Sequence, residues 1–436
     1  MQRHSSRILA ANRSVSNDTW TTGLNNNDLV VGPSGSGKTR GYVIPNILQS
    51  DESLIITDTK GNLREQLGGV LESNGYSVLE LDLAGCAASR NGYDPLDYIR
   101  TVESPGDGCG HCSEQDVMTA AAALAPVQSR RDPFWDYAAR GLLASIIAYV
   151  MDCLPPREHT MESVLSLFHE INTGRYAALI DELAWTDPDS MAVSQYRLFD
   201  AGRNAEKMRA SIQGILGERL SIFAFSGART LLRHPRKIDI ASIGRRKTAL
   251  FLHMSDTDRS MDRLATLFYS QALQVLCGLA DSEPDGRLKV PVRFILDDFA
   301  AAADCCIPDF DKITSVIRSR EISVSVILQS LSQLEASYGH SKAMTIVNNC
   351  DHLLYLGGQD VETASFVARK ANKTPSSILQ MPLDAAWLFT RGSAPREVTK
   401  YRLESHPLYK ELPEYRAAHT AAGPIPQTAP EADPAA

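Results

Sequence analysis

Short apolar runs alternate with segments of helical period in two separate stretches of this chain, and a long, purely helical pattern lies between them. Residues 28–31, 54–57 and 77–81 each read as a buried strand, with helical or turn material between them. Strand-like runs return at 248–253, 292–296, 323–328 and 352–356, and residues 260–279 have the spacing of an amphipathic helix. That rhythm predicts a parallel α/β sheet. From 101 to 225 the strand signal gives way to Ala-, Leu- and charge-rich stretches such as 120–124, 134–151 and 161–171, which predict an all-helical inserted domain. The expected organisation is a polar, extended lead-in over 1–27, an α/β domain assembled from 28–100 and 226–410, the helical insert over 101–225, and a disordered tail over 411–436. That tail is rich in Ala, Pro, Thr and Glu and has few large apolar residues.

Composition narrows the class without naming it. At 436 residues, 43% hydrophobic and 22% charged, the chain has the balance of a folded protein with room for a large core. No apolar run reaches the length of about 18 residues needed to cross a bilayer, and the amino end has no apolar segment behind Arg3 and Arg7, so a cytoplasmic location is expected. The eight cysteines have no regular spacing and are expected to be free thiols, including Cys109 and Cys112 of a lone Cys-Gly-His-Cys stretch and the Cys305-Cys306 pair. A net charge of -8 argues against a surface coated in positive charge for bulk nucleic-acid binding. Residues 203–247, however, carry eleven basic side chains against three acidic ones, which reads either as a phosphate-contacting or subunit surface or as a solvated face.

The most specific chemistry is Gly32-Pro33-Ser34-Gly35-Ser36-Gly37-Lys38-Thr39, a GxxxxGK[ST] loop that follows an apolar strand. In such a loop the glycines let backbone N–H groups turn toward a phosphate, Lys38 reaches the β and γ phosphates, and Thr39 ligands Mg²⁺. Pro45 is expected to break the following helix early, because it lacks an amide hydrogen and clashes with the preceding turn. The apolar run 292–296 ends in Asp297 and Asp298, the first suited to the Mg²⁺ shell and the second to orienting or deprotonating water. Gln329 ends the next strand, where a polar side chain can sense the γ phosphate, and neighbouring Ser330 could do the same. Arg318 and Arg320, just before that strand, are candidate arginine fingers for an adjacent subunit. The stretch Asn372-Lys373-Thr374-Pro375 lacks the Asp that guanine recognition needs, which leaves ATP as the expected nucleotide.

Taken together, these elements resemble the TraG-like coupling proteins of type IV secretion systems. The similar stretches are Asn26-Asn27-Asp28-Leu29-Val30 with the phosphate loop, Val43-Ile44-Pro45-Asn46-Ile47-Leu48, Ile56-Thr57-Asp58-Thr59-Lys60-Gly61, Tyr93-Asp94-Pro95-Leu96, Asp132-Pro133-Phe134-Trp135, Leu296-Asp297-Asp298-Phe299-Ala300 and Ile327-Leu328-Gln329-Ser330. The resemblance implies a RecA-like P-loop NTPase domain carrying an all-helical domain, using ATP and Mg²⁺, assembled as a homo-hexameric ring with the nucleotide between subunits. It implies single-stranded DNA, a relaxase and the secretion channel as partners, and a station at the cytoplasmic face of the membrane. Membrane helices usual in the family are not present in this sequence, so a truncated form, a naturally soluble variant or a subunit anchored by another protein is expected. Asp298 stands where the family has Glu, which implies slower hydrolysis, and Thr59 and Asn62 replace the usual Pro and acidic residue. An ATP-driven motor is thus the leading expectation. A nucleotide-gated adaptor without appreciable hydrolysis is the alternative, and a chromosome translocase or virus-packaging pump comes third.

Overall fold

The computed structural model describes residues 6–103, 110–127, 132–200, 206–299 and 306–420. Its centre is a nine-stranded sheet. With strands numbered along the chain as β1 (Ser6–Ala10), β2 (Arg13–Ser16), β3 (Asp28–Val31), β4 (Ser53–Asp58), β5 (Ser77–Asp82), β6 (Thr101–Glu103), β7 (Gly110–Cys112), β8 (Thr248–His253), β9 (Val292–Leu296), β10 (Ile322–Leu328), β11 (His352–Tyr355), β12 (Ala385–Thr390) and β13 (Arg396–Thr399), the order is β13-β12-β11-β3-β10-β9-β4-β8-β5. The seven strands from β11 to β5 are mutually parallel, and β12 and β13 add an antiparallel edge.

The central strands read as unbroken apolar runs because both faces are covered. On one face Val30, Ile56, Ile295 and Ile327 pack with Leu9, Ile47 and Leu67, bringing in the helices Ile44–Gln49 and Leu63–Ser73. On the other, Leu29, Ile55, Phe294 and Val326 pack beneath the long helix Asp262–Ser282 and are continuous with the core of the helical region.

Between β5 and β8 the chain leaves the sheet and, among the described residues, runs through seven helices of eight residues or more, from Glu114–Leu124 to Ser226–Arg233. The stretch is not wholly helical: β6 and β7 pair as a small antiparallel ribbon at its start. Asp94, buried at the exit from the core, accepts from the amides of Leu96 and Met161 and so ties the departing chain to the first turn of the helix Met161–His169.

The described residues toward each end, from 6 and up to 420, are more structured than their composition suggests. The lead-in carries the β1–β2 hairpin, and Arg7 is 2% exposed. The tail expected to be disordered from 411 instead has a helix at Pro413–Thr420, anchored by buried Leu412, a Tyr409–Tyr415 edge contact and an Arg40–Glu414 ion pair at 2.9 Å. Residues 421–436 lie outside the described residues. Among the described residues no helix is long and apolar enough to cross a membrane.

Candidate nucleotide site

Parallel pairing brings the chemistry-bearing loops to one edge. Val31 is level with Leu328, Leu296 with Val326, and Ile56 with Ile295, so Gly32, Gln329, Asp297 and the 58–63 loop all leave from the carboxyl ends of adjoining strands. That edge is where open α/β sheets bind ligands. A cleft of about 300 Å³ lies there, lined by the phosphate loop from Pro33 to Arg40, by Asp58, Thr59, Lys60 and Asn62, and by Asp297, Asp298 and Gln329.

The phosphate loop is closed by backbone bonds, Gly32 N–H to Leu328 O at 3.1 Å and Ser36 N–H to Pro33 O at 3.2 Å. Gly35 and Gly37 have φ of 77° and 93°, left-handed values at which a side chain is strained. Lys38 is buried and donates to its own loop carbonyls, Gly32 O at 2.7 Å and Pro33 O at 3.2 Å. From outside, Lys400 braces the loop by donating to Ser36 O (3.0 Å) and Leu356 O (2.8 Å). Sequence reasoning missed Lys400, and a single lysine after an edge strand offers no signal that could have found it.

Pro45 does not break the following helix. A wide π turn over Thr39–Val43, with Ile44 N–H bonded to Thr39 O, runs directly into Ile44–Gln49. The widened turn moves the backbone off the ordinary register at the point where Pro45 has no N–H to offer.

Thr39 Oγ1 donates to Asp297 Oδ2 at 3.3 Å, so the two expected Mg²⁺ ligands already face each other. Burial and the neighbouring Asp298 carboxylate push the Asp297 carboxyl up to about 6, against the opposing pull of Lys38 and Thr39. Asp298 takes a left-handed φ of 49°, uncommon for a residue with a side chain, and its Oδ1 accepts from Gln329 Nε2 at 3.3 Å. The predicted polar partner at the end of β10 therefore touches the predicted water-orienting carboxylate. Ser330, by contrast, caps the helix Leu331–Tyr338.

The residues present fit a magnesium-bound nucleoside phosphate. Among the described residues the buried Ser36 hydroxyl has no hydrogen-bond partner and the Lys38 ammonium donates only to loop carbonyls, and a carboxylate stands against the Thr39 hydroxyl.

Other expected residues are not brought here. Arg318 and Arg320 precede β10, at the far end of the strand from the cleft. There Arg318 donates to Thr19 O at 3.0 Å and Arg320 pairs with Asp281 at 2.8 Å. The Asn372 stretch is a helix C-cap followed by the N-cap of Pro375–Leu379. The basic run 203–247 is partly consumed by ion pairs, Arg219 with Glu218, Arg233 with Glu162 and Lys237 with Asp97. Buried Cys112 donates to Asp152 at 3.4 Å and its thiol is pushed far up by burial. Cys109, Cys305 and Ala300 lie outside the described residues.

Comparison with known proteins agrees with this architecture. The family described as Type IV secretory system Conjugative DNA transfer matches residues 3–376. Protein VirD4 of Rhizobium radiobacter is 24% identical over 352 residues, 80% of this chain and 48% of the relative, so the chain spans about half the length of the curated relatives it matches. Among solved structures, the plasmid coupling protein TrwB in complex with the non-hydrolysable ATP analogue ADPNP has a TM-score of 0.63 at 19% identity, covering 86% of this chain and 85% of that one. TrwB in complex with ADP and Mg²⁺ has a TM-score of 0.62 at 18% identity with the same coverage. The fold is thus that of a RecA-like P-loop NTPase. The chain belongs to the Type IV secretory system Conjugative DNA transfer family.

Proposed function

We propose that the cleft binds ATP with Mg²⁺ and hydrolyses it to move single-stranded DNA, with its relaxase, toward a type IV secretion channel. The observation that carries this reading is the convergence of Lys38, Thr39, Asp297, Asp298 and Gln329 at the carboxyl edge of one sheet, in a chain of this family. Thr39 and Asp297 would hold Mg²⁺, which supplies charge neutralisation to the β and γ oxygens. Lys38 turns from its loop carbonyls to the phosphates, as the phosphate loop's amides do. Asp298 orients the attacking water and accepts its proton, and Gln329 holds that carboxylate from the neighbouring strand.

In this reading the working form is a ring of six at the cytoplasmic face of a membrane, with the nucleotide between subunits. Arg318 or Arg320 would then leave its present partner to reach a neighbour's γ phosphate. Turnover that rises steeply with protein concentration and is further raised by single-stranded DNA supports the ring motor. Turnover per chain that is independent of both contradicts it.

Asp298 favours a second reading, a nucleotide-gated adaptor, because its carboxylate is one methylene shorter than the family's Glu. The adaptor predicts ATP binding with negligible turnover that Asp298→Glu restores. Fast turnover in the native chain eliminates it.

A further inference from the structure

Three cations line the cleft, Lys38, Arg40 and Lys60, and their surroundings differ. Lys38 is folded onto the phosphate loop. Arg40 is clamped between Glu404 at 2.7 Å and Glu414 at 2.9 Å, both supplied by the carboxyl-terminal segment. Lys60 is exposed and makes no side-chain hydrogen bond or ion pair with any described residue.

Its backbone is held far more firmly than its side chain. The buried carboxylate of Asp58 accepts from the amides of Lys60 at 3.3 Å and Leu63 at 2.7 Å, and Asp58 O accepts from Met254 N–H at 3.1 Å. Gly61, at φ 66°, lies flat on the His253 ring, where a Cβ would come within 2.5 Å of Nε2, and His253 is fixed in turn by Asp82 at 2.8 Å. A turn fixed this tightly at the carboxyl end of β4 presents Lys60 across the cleft from the phosphate loop. A solvated surface lysine requires no such support.

We propose that Lys60 is a catalytic residue, a second cation in the same subunit that binds the γ-phosphate oxygens and stabilises the charge that builds on them during hydrolysis. The inference rests on the nucleotide reading given above. An ammonium delivered from a fixed turn acts where negative charge develops, in a site partly withdrawn from water, and contributes little to a diphosphate that lacks those oxygens.

The test compares the native chain, Lys60→Ala, Lys60→Arg and Lys38→Ala. It uses calorimetric titration with ADP and with a non-hydrolysable ATP analogue in Mg²⁺, together with steady-state ATP turnover. For Lys60→Ala the expected result is ADP affinity within about twofold of native, analogue affinity lower by about tenfold and turnover lower by about tenfold or more, with Lys60→Arg recovering much of both. Because the side chain is exposed, the thermal midpoint should not move. If Lys60→Ala matches the native chain in analogue binding and turnover, or weakens ADP as much as the analogue, the assignment is overturned while the nucleotide reading stands. If the native chain binds neither nucleotide, both are overturned.

Discussion

The two ends of the strands in this sheet treat buried charge in opposite ways. At the amino ends, Asp28 opens β3 with Arg7 at 2.7 Å and His352 at 3.3 Å, and Arg293 on β9 pairs with Glu52 at 2.9 Å and donates to Asn26 O. Burial alone would raise the Asp28 carboxyl, yet Arg7, His352 and Arg293 outweigh it and hold the group far below the usual carboxylate range. At the carboxyl ends, a few residues along the same strands, Asp297 is also buried but is held up at about 6, and Asp298 sits in a left-handed conformation. One end is an ion-paired floor that keeps the strands in register, although Arg293 Nη2 and His352 Nε2 find no hydrogen-bond partner among the described residues; the other retains unspent electrostatic potential that a cation and a phosphate can satisfy.

The strongest way to break the comparison is at the floor. Arg7→Ala leaves Asp28 buried without its closest cation and should cost roughly 3–5 kcal/mol of stability by denaturant unfolding. The sign of the pH dependence follows from the lowered carboxyl. The contribution is fully present above about pH 4 and is lost as the pH falls toward the folded-state value, so the native chain should hold its structure in mild acid better than the variant.

Next comes the opposite effect at the cleft. Because the Asp297 carboxyl is raised, its ionisation costs the metal-free chain stability progressively from about pH 4 and fully above about 6, and Asp297→Asn should stabilise that chain at pH 7.5 by roughly 1–2 kcal/mol while abolishing turnover. Measured without metal or nucleotide, that stabilisation should shrink as the pH falls from about 6 and vanish below about 4, where the carboxyl is protonated in folded and unfolded chains alike. A stabilised but inactive variant is the signature of a group placed for function, and a destabilised one would erase the contrast between the two ends.

Asp298→Glu should raise turnover severalfold, on the order of 1 kcal/mol in the barrier, with no change in the thermal midpoint. Smallest is Glu414→Gln, which loosens an exposed pair on Arg40 and should change stability by no more than about 0.5 kcal/mol.

Much of the cleft was legible because its parts are local. A phosphate loop after a strand, two carboxylates after another and a polar residue after a third can be read from single runs, and parallel pairing does the rest. What stayed hidden depends on partners distant in the chain. Nothing in a polar amino end says that Arg7 meets Asp28 and His352, and Lys400 reaches the phosphate loop only because the segment that follows edge strand β13 returns across the sheet to it. The antiparallel edge was missed although its signal exists, an Ala-Ala-Trp-Leu-Phe-Thr run followed by a Gly392 turn. For residues 411–420 alone the structure differs from the expected disorder, because their order rests on a few specific contacts, Leu412, Tyr415 and Glu414, that composition does not show.

The central claim is that the carboxyl-end cleft is an ATP-hydrolysing site, and the most direct test is steady-state ATP turnover by the native chain and by Lys38→Ala, each with single-stranded DNA and with unfolding midpoints measured alongside. The account predicts turnover in the native chain that falls by more than about 100-fold in the variant, with the two midpoints alike in the absence of nucleotide. Equal turnover in the two proteins would place hydrolysis elsewhere and contradict it.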